Sequence, residues 1–345
     1  MEKQNCNRVD KELVIVTPVY NTGDYIESFL ESVLGQSFYD FDIFLVDDGS
    51  VDDSYNKIKE SAKVDDRIYL LRKPNAGVSS ARNYALDYLE RNKKKYKYIY
   101  FCDSDDCLGK DALLKVVNCM RRSADLDYAV FSVKYLYKNK ITGVPPVQKS
   151  CWVMSKSDIV SQYYRRGCRW RKHSTSEGFL NNKVFSFDKI IKFRFDENLK
   201  RAEDFDFFIQ VHPSLRSGVL VPDAFYYYRK RKTSLTATVR ETGDLEVVMK
   251  HLHEMDQRSQ VEQRSVQHKY VRAIYTGVCN AISNSDYEMV KKLYKIKNAI
   301  GIRYRPFLSD IKMITLLSLP FPILKIFVRM RKCQKIGKKP NEYFD

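Results

Sequence analysis

Residues 98–109 read YIYFCDSDDCLG, an apolar run that passes directly into three carboxylates. The run has the length and composition of a strand that is buried on both faces of a sheet. Asp103, Asp105 and Asp106 would repel one another at neutral pH, whereas a solvated turn needs only one or two such residues. The stretch therefore indicates either a well-hydrated turn or a loop that holds a cation.

The same order of apolar strand, polar loop and amphipathic helix recurs on both sides of this stretch. The predicted strands cover residues 13–20, 42–48, 67–73, 96–102 and 126–134. The predicted helices cover residues 24–36, 50–62, 78–90 and 110–121. This alternation specifies an α/β fold with a mainly parallel central sheet, flanking helices and right-handed crossovers.

Polar loops follow four of these predicted strands, at residues 17–21, 46–54, 73–83 and 103–106. Open parallel sheets bind their ligands beyond the carboxyl ends of the strands, where such loops meet. The acidic cluster is therefore predicted to lie at the ligand-binding edge of the sheet rather than at an arbitrary surface position.

The charge of the chain favours an anionic partner. Lysine and arginine number 60 against 43 acidic residues, which gives a formal net charge of +17. Nucleic acid, membrane headgroups and phosphorylated ligands all fit such a charge. Nucleic acid is disfavoured because the sequence has no RRM, KH or helix-turn-helix signature, and because the acidic loops would repel a phosphate backbone unless they held metal.

Cysteine usage and the N-terminus bear on the compartment. The chain has 8 cysteines with no CxxC pair, a pattern that favours free thiols in a reducing compartment over a disulfide framework. Residues 1–16 lack an apolar core followed by a small-residue cleavage site, so no secretory signal is expected. Both features predict a cytoplasmic protein.

The tail of the chain carries a separate feature. Residues 313–324 are uncharged, but they fall short of the ~20 residues that span a bilayer, and two prolines interrupt them. The surrounding residues 303–339 are rich in lysine and arginine. This composition predicts peripheral attachment to an anionic membrane surface. A last core helix with a solvated basic tail is the alternative.

Several motifs occur in an order that resembles glycosyltransferase family 2, the inverting enzymes of the GT-A (Rossmann-like) fold, of the bacterial polysaccharide type. They are TPVYN (17–21), VDDGSVDDS (46–54), NAGVSSARN (75–83), DSDD (103–106), NKVF (182–185) and AED with the aromatic residues after it (202–208). Each motif is weak alone, and the ordered set on a β/α scaffold is specific.

The resemblance implies a GT-A catalytic domain over residues 1–240 and a helical extension over 241–345. Within the domain, 13–127 would bind the nucleotide-sugar and 128–240 the acceptor. The implied reaction moves a sugar from a nucleotide-sugar, by default a UDP-sugar, to a glycan acceptor. That acceptor would be linked to a polyprenyl diphosphate, at the inner face of the cell membrane. A nucleotidyltransferase of similar architecture and a basic nucleic-acid-binding protein are the alternatives.

The acidic loop fits a divalent cation. A nucleotide-sugar carries a diphosphate, and Mg²⁺ or Mn²⁺ binds one or two carboxylates together with phosphate oxygens. The resemblance implies that Asp105 is a direct metal ligand and that Asp103 faces the ribose or the metal. Asp106 has the position of a cap for the next helix.

The resemblance also implies a nucleotide pocket at the ends of the strands. Asp47 would accept the N3–H of uracil, and Asp48 would be structural. Arg82 would reach the nucleotide or the diphosphate, unless it is an ordinary solvated helix residue. The implied nucleotide-binding residues are Pro18, Tyr20, Asn21, Asp47, Gly77, Arg82, Asp103 and Ser104.

A second carboxylate pair, Glu203 and Asp204, is followed by phenylalanines. Inverting transfer needs one base to take the proton of the acceptor hydroxyl, and partial burial raises the proton affinity of a carboxylate. The resemblance implies that Asp204 is this base and that Glu203 supports it. An acidic pair favoured by a helix N-terminus is the alternative.

Two basic, aromatic segments occupy residues 163–172 and 226–236. They are predicted to hold the phosphates of the acceptor or the donor and to stack on a sugar, with a solvated basic face as the alternative. The candidates in them are Arg169, Trp170, Arg229 and Arg231.

Overall fold

The computed structural model divides into two compact units, residues 1–234 and 235–345. In the first unit it describes residues 11–137, 140–142, 150–159, 180–199 and 202–230. In the second unit it describes residues 271, 274–275, 277–279, 281–282, 285–300, 308–320, 322–326 and 328.

The first unit follows the predicted alternation of strands and helices. Its strands are β1 (Leu13–Val19), β2 (Phe41–Asp47), β3 (Ile68–Arg72), β4 (Tyr98–Phe101), β5 (Cys107–Leu108), β6 (Leu126–Tyr137), β7 (Lys140–Thr142), β8 (Trp152–Ser155), β9 (Lys183–Ser186) and β10 (Ser217–Arg229). Its helices are α1 (Ile26–Leu34), α2 (Ser54–Val64), α3 (Val78–Arg91), α4 (Ala112–Met120), α5 (Phe187–Ile190) and α6 (Glu203–Val211), followed by a 3₁₀ turn (His212–Ser214).

These strands form one mixed sheet in the described part of the chain. Its central order is β3-β2-β1-β4-β9-β6-β10-β5, with β7 on β6 and β8 on β10. The pairs β1–β2, β2–β3 and β1–β4 are parallel, as predicted. Strand β9, by contrast, lies antiparallel between β4 and β6. The long pair β6–β10 is also parallel. The sheet is therefore mixed: the predicted parallel pairing holds for β3-β2-β1-β4 and for β6–β10, and β9 and the edge strands β5, β7 and β8 are antiparallel to their neighbours.

Apolar patterning accounts for the first half of the sheet. All of the residues of β2 are buried, as expected for a strand covered by helices on both faces. Helix α1 buries Ile26, Phe29, Leu30 and Val33, which lie on one face at helical spacing. The position of Asp24 at the start of the predicted helix 24–36 predicts that it caps that helix. This prediction is wrong, because the helix begins at Ile26 after Tyr25 and has no side-chain cap.

The second half of the unit departs from the sequence prediction at β10. The sequence of residues 219–236 predicts a strand, a turn and a second strand, but residues 217–229 form one strand. The register against β6 shifts between Val221 and Phe225. Pro222 lies in that interval and has no amide hydrogen to donate, which explains why the irregularity occurs there.

The cysteines also depart from expectation. Cys119 in α4 and Cys151 before β8 form a disulfide with their Cα atoms 6.9 Å apart, so the prediction of free thiols is wrong for this pair. Cys102, Cys107 and Cys279 are free thiols. No other cysteine lies within the described residues.

The second unit contains α7 (Tyr287–Ile300) and α8 (Leu308–Ser318). Helix α8 ends just before Pro320, in agreement with the interruption expected there. Helical residues 322–326 follow, in which Ile323 and Ile326 are 51% and 60% exposed. Among the helices that the structure describes, none is long and apolar enough to cross a bilayer.

Candidate active site

The loops after β1 and β2 are joined by hydrogen bonds at the carboxyl ends of these strands. The amide of Asn21 donates to Ser50 Oγ (3.0 Å), and the amide of Val51 donates to Asn21 Oδ1 (3.0 Å). Asn21 adopts a left-handed conformation with φ of 50°. Tyr20 is about half exposed, and Pro18 lies on β1 opposite Val46. These predicted pocket residues therefore lie together at the expected edge.

Asp47, predicted to bind the base, is fully buried beneath an arginine. Its Oδ2 lies 3.1 Å from Arg72 Nε, and its Oδ1 accepts a hydrogen bond from the Ser50 amide (3.3 Å). The Arg72 guanidinium also lies over the ring of Tyr55, 4.4 Å from its centroid. Sequence reasoning missed Arg72, although the parallel register of β2 and β3 places it directly opposite Asp47.

Asp48 anchors the loop that leads into α3, as the structural role predicted for it requires. Its carboxylate accepts hydrogen bonds from the amides of Ala76 (3.1 Å) and Gly77 (2.7 Å) and from Lys73 Nζ (2.6 Å). Gly77 has φ of 94°, a conformation that side-chain-bearing residues rarely adopt. The start of α3 is therefore fixed relative to the end of β2.

The acidic loop 103–106 is held by the C-terminal end of β10. Asp106 is buried and accepts hydrogen bonds from the hydroxyl of Tyr226 and from the amide of Arg229 (2.7 Å). Burial, followed by the charges of Asp105 and Asp103, raises the pKa of Asp106 well above its usual value. The predicted helix-capping role of Asp106 is wrong, because α4 begins only at Ala112.

The neighbouring positions complete this loop. The hydroxyl of Thr22 donates to Ser104 Oγ (3.2 Å), so the predicted Ser104 is buried against the loop after β1. Arg229 Nε donates to the backbone carbonyl of Asp105 (2.8 Å), which brings this candidate arginine to the acidic loop. The candidates Arg169, Trp170 and Arg231 lie outside the described residues.

Arg82 lies at the centre of the site and joins its two acidic groups. One terminal nitrogen, Nη1, donates to Asp204 Oδ1 (2.8 Å) and lies 3.4 Å from Glu203 Oε1. The other, Nη2, donates to Asp103 Oδ1 (3.0 Å). Burial lowers the pKa of Arg82, but the three carboxylates outweigh burial and the net shift is upward. Arg82 is therefore a buried member of an ion-pair cluster and not a solvated helix residue.

The carboxylate pair at the start of α6 has raised proton affinity. Burial and the adjacent Asp204 raise the pKa of Glu203 to about 7. Burial also raises the pKa of Asp204, and Arg82 offsets part of that rise. The amide of Leu180 donates to Asp204 Oδ2 (3.2 Å). Glu203, whose pKa is about 7, can therefore take up a proton near neutral pH.

Asn181, directly before the NKVF segment, and Lys183 within it contribute to the same cluster. Asn181 Nδ2 donates to Asp103 Oδ2 (3.2 Å). Lys183 is fully buried, and its charge lowers the pKa of Asp204. Sequence reasoning noted the segment as a motif but gave these residues no role. Their proximity depends on the antiparallel insertion of β9 beside β4, which the sequence pattern did not indicate.

The acidic loop alone supplies only part of the ligand set that a divalent cation needs. Among the described residues no group of three or more metal-binding side chains is close enough to hold an ion. Asp103 and Asp105 offer hard carboxylate oxygens, and both side chains are partly exposed. Mg²⁺ or Mn²⁺ can be held by one or two carboxylates when substrate phosphates and water supply the remaining ligands.

Comparison with known proteins decides the family. The family model described as "Glycosyl transferase family 2" matches residues 14–191, which is more than half of the 345-residue chain. The chain belongs to glycosyl transferase family 2. The matched segment of this family 2 chain contains Asp47, Arg82 and the acidic loop, and it ends before Glu203 and Asp204.

Curated relatives of this family 2 chain come from Bacillus subtilis (strain 168). The glycosyltransferase EpsJ is 27% identical over 230 residues, which cover 64% of the chain and 62% of EpsJ. The minor teichoic acid biosynthesis protein GgaA is 31% identical over 232 residues, which cover 63% of the chain and 47% of GgaA. The chain therefore spans less than two thirds of the length of either relative.

Solved structures show that the family 2 chain has a GT-A fold. S. aureus TarS 1–349, in complex with UDP-GlcNAc, superposes with a TM-score of 0.57 at 16% identity, covering 85% of this chain and 93% of TarS 1–349. The mannosyltransferase PcManGT from Pyrobaculum calidifontis, in complex with GDP-Man and Mn²⁺, gives a TM-score of 0.52 at 12% identity, covering 98% and 92%. At such identities the likeness concerns the fold alone.

Proposed function

We propose that this chain is an inverting glycosyltransferase that moves a sugar from a UDP-sugar to a hydroxyl group of a glycan acceptor. The observation that carries the proposal is the cluster in which Arg82 joins Asp103 to Glu203 and Asp204. In the proposed assignment Asp103 serves the donor and Asp204 the acceptor, and Arg82 joins them near the carboxyl end of β4, where ligands of such sheets bind.

In the proposed reaction Asp204 accepts the proton of the acceptor hydroxyl while the hydroxyl oxygen attacks the anomeric carbon. A bond forms between that oxygen and the carbon. The bond from the carbon to the nucleotide diphosphate breaks, and UDP leaves with the bonding electrons. A single displacement of this kind inverts the anomeric configuration. The raised pKa of Asp204 supports its role as the proton acceptor.

Asp105, with Asp103, is proposed to hold Mn²⁺ or Mg²⁺. When bound, the ion would neutralise the diphosphate and stabilise the leaving group. The fold shared with PcManGT, which was solved with GDP-Man and Mn²⁺, supports the proposal. The nucleotide itself is proposed to contact Pro18, Tyr20, Asn21, Asp47, Gly77 and Ser104.

The acceptor is proposed to be a bacterial cell-surface polysaccharide under construction, with a hexose or N-acetylhexosamine as the transferred sugar. The similarity to GgaA, named for minor teichoic acid biosynthesis, supports the acceptor class. The fold shared with TarS, solved with UDP-GlcNAc, supports the donor class. Arg229 is proposed to approach the diphosphate, and its contact with the acidic loop supports this role.

The C-terminal segment is proposed to attach the enzyme to the cytoplasmic face of a membrane that presents a lipid-linked acceptor. Ile323 and Ile326 are one helical turn apart and exposed, beside a lysine at position 325. Apolar residues next to cations favour the interface of an anionic membrane. The basic residues of 303–339 would add electrostatic attraction.

The function is tested by screening nucleotide-sugars with and without Mn²⁺, first for thermal stabilisation and then for release of UDP in the presence of a glycan acceptor. A ligand that binds only the folded state raises its apparent stability. Asp204→Asn is expected to lower turnover by about 10²–10⁴-fold, the usual contribution of a general base, and to leave donor-induced stabilisation in place.

The matched control is Asp125→Asn, an exposed carboxylate paired with Arg216, which should retain wild-type turnover. Wild-type turnover in the Asp204→Asn variant would refute the assignment of the base. Release of pyrophosphate in place of UDP would indicate a nucleotidyltransferase. No response of the wild-type protein to any donor, with or without Mn²⁺, would overturn the proposed function.

A further inference from the structure

The guanidinium of Arg82 is removed from solvent and committed to carboxylates. The residue is 3% exposed and comes from the first turns of α3. Its terminal nitrogens donate to Asp204 Oδ1 at 2.8 Å and Asp103 Oδ1 at 3.0 Å. Both terminal nitrogens are thus engaged by carboxylates, whereas the sequence-based prediction directs Arg82 at the nucleotide.

The geometry of Arg82 uses the planar fork of a guanidinium. Its two terminal nitrogens reach carboxylates that lie 21 and 122 positions away in the chain. The flat group also lies over the ring of Phe195, 5.1 Å from its centroid. A lysine ammonium is a compact point charge and cannot reproduce this divided and stacked arrangement.

Asp204 is consequently held at both of its oxygens. Oδ1 accepts a hydrogen bond from Arg82, and Oδ2 accepts one from the amide of Leu180 (3.2 Å). The charged groups that act on it are Arg82 and Lys183, which favour its ionised form, and Asp103, which opposes it. Glu203 lies on the same side of the guanidinium as Asp204. Removal of Arg82 would delete the hydrogen bond at Oδ1 and leave the bond from the Leu180 amide at Oδ2.

We propose that Arg82 is the positioning residue of the catalytic base: it fixes the orientation of the Asp204 carboxylate and sets its place relative to Asp103. This inference rests on the proposed function, because Asp204 is a base only if the chain transfers sugar. Because both terminal nitrogens of Arg82 donate to carboxylates, we expect Arg82 to act through Asp204 rather than on the donor directly. Its removal should therefore reduce the rate of the chemical step more than the affinity for the donor.

The test compares Arg82→Gln and Arg82→Lys with the wild-type enzyme in steady-state assays with the donor found in the screen. Gln removes the charge and the fork, and Lys removes only the fork. Arg91→Gln is the matched control, since Arg91 lies at the other end of α3 and donates to the backbone carbonyl of Asp87. Thermal unfolding of all four proteins reports whether they fold.

Arg82→Gln should lower kcat by about 100-fold or more, as expected for a misplaced catalytic group, with KM for the donor within about threefold. Arg82→Lys should also lose kcat. The acidic limb of the pH profile should move to higher pH in Arg82→Gln, because the neighbouring cation is gone, and should stay in place in Arg82→Lys. Arg91→Gln should match the wild type.

Folded Arg82 variants with wild-type kcat would overturn the inference. So would a loss confined to KM, since that would place Arg82 in donor binding. Failure of both variants to fold, while Arg91→Gln folds, would assign Arg82 to the fold and also overturn it. A wild-type protein without transferase activity is a different result, because it refutes the proposed function before any variant is compared.

Discussion

At the scale of single residues, the candidate site depends on the guanidinium of Arg82, which pairs with three carboxylates. Asp103, Glu203 and Asp204 all contact Arg82, and two of the three have raised proton affinity because they are buried. A buried charge without a partner would cost several kcal/mol. The cluster is therefore stable as a unit and sensitive to the loss of any one member.

Glu203 provides a pH-dependent test of this description. Its pKa is about 7 in the folded protein, against an ordinary value of 4.5. Between pH 4.5 and pH 7 the carboxyl group of Glu203 is therefore protonated in the folded state and ionised in the unfolded state. Stability should fall as pH rises across this window, by at most about 3 kcal/mol at 1.36 kcal/mol per unit. Glu203→Gln cannot ionise and should lack the loss.

Urea unfolding of both proteins in EDTA between pH 5 and pH 8 measures the difference. The free energy of unfolding of Glu203→Gln, relative to that of the wild type, should rise up to about pH 7 and then level off. Parallel pH curves for the two proteins would show that Glu203 titrates normally in the folded state.

At the scale of elements, the acidic loop depends on a strand that comes much later in the chain. The loop follows β4, and Asp106 within it is hydrogen-bonded to Tyr226 and to the backbone of Arg229 in β10. Arg229 further contacts the backbone of Asp105. The proposed metal-binding carboxylates are therefore presented by a loop whose shape is set from the other half of the sheet.

Tyr226→Phe should loosen this loop with little change in packing volume. The buried Asp106 carboxyl group loses one hydrogen bond, at a cost of about 1–3 kcal/mol in stability. We also expect UDP to bind about tenfold more weakly in the presence of Mn²⁺, which corresponds to about 1.4 kcal/mol. Denaturant unfolding and calorimetric titration measure the two effects.

Tyr39→Phe is the matched control, because Tyr39 is 66% exposed and lies away from the acidic loop in the segment before β2. Its substitution should leave both quantities unchanged. If Tyr226→Phe bound UDP and Mn²⁺ as tightly as the wild type, the loop would hold its shape without β10.

How far the sequence predicted these elements depends on how local their signals are. Strands β1 to β4 and helices α1 to α4 follow from apolar runs and helical spacing, which are properties of neighbouring residues. The roles of Asp48 and Asn21 at the strand ends follow from the same topology. Asp106, Asn181 and Lys183 acquire their contacts only because β9 and β10 arrive beside β4 and β5 from distant positions. The spacing of apolar residues along the sequence does not indicate which distant strands will pair.

At the scale of the whole molecule, the proposed membrane attachment of the C-terminal unit can be tested separately. Replacing Ile323 and Ile326 together with serine should weaken binding to vesicles that contain anionic lipid by about tenfold, since two exposed apolar side chains would no longer enter the interface. The binding should also weaken as salt is added. Co-sedimentation with vesicles measures both effects.

Ile141→Ser is the control, because Ile141 is 51% exposed and lies in β7 of the first unit. Equal sedimentation of all three proteins, or equal binding to uncharged vesicles, would argue against membrane attachment through this segment. The transferase proposal does not depend on that outcome.

The place of β9 in the sheet has a consequence for the nascent chain. Residues 183–186 separate β4 from β6, although both of those strands are synthesised earlier. Pairings between such distant segments form slowly, and an unfilled gap between strands exposes edges that can aggregate. A ribosome that has released residues 1–137 thus presents a sheet open at its middle, a form that chaperones would have to shield. The acidic loop gains its hydrogen bonds to Tyr226 and Arg229 only when translation has passed β10, so a chain that terminates earlier should lack the ordered loop.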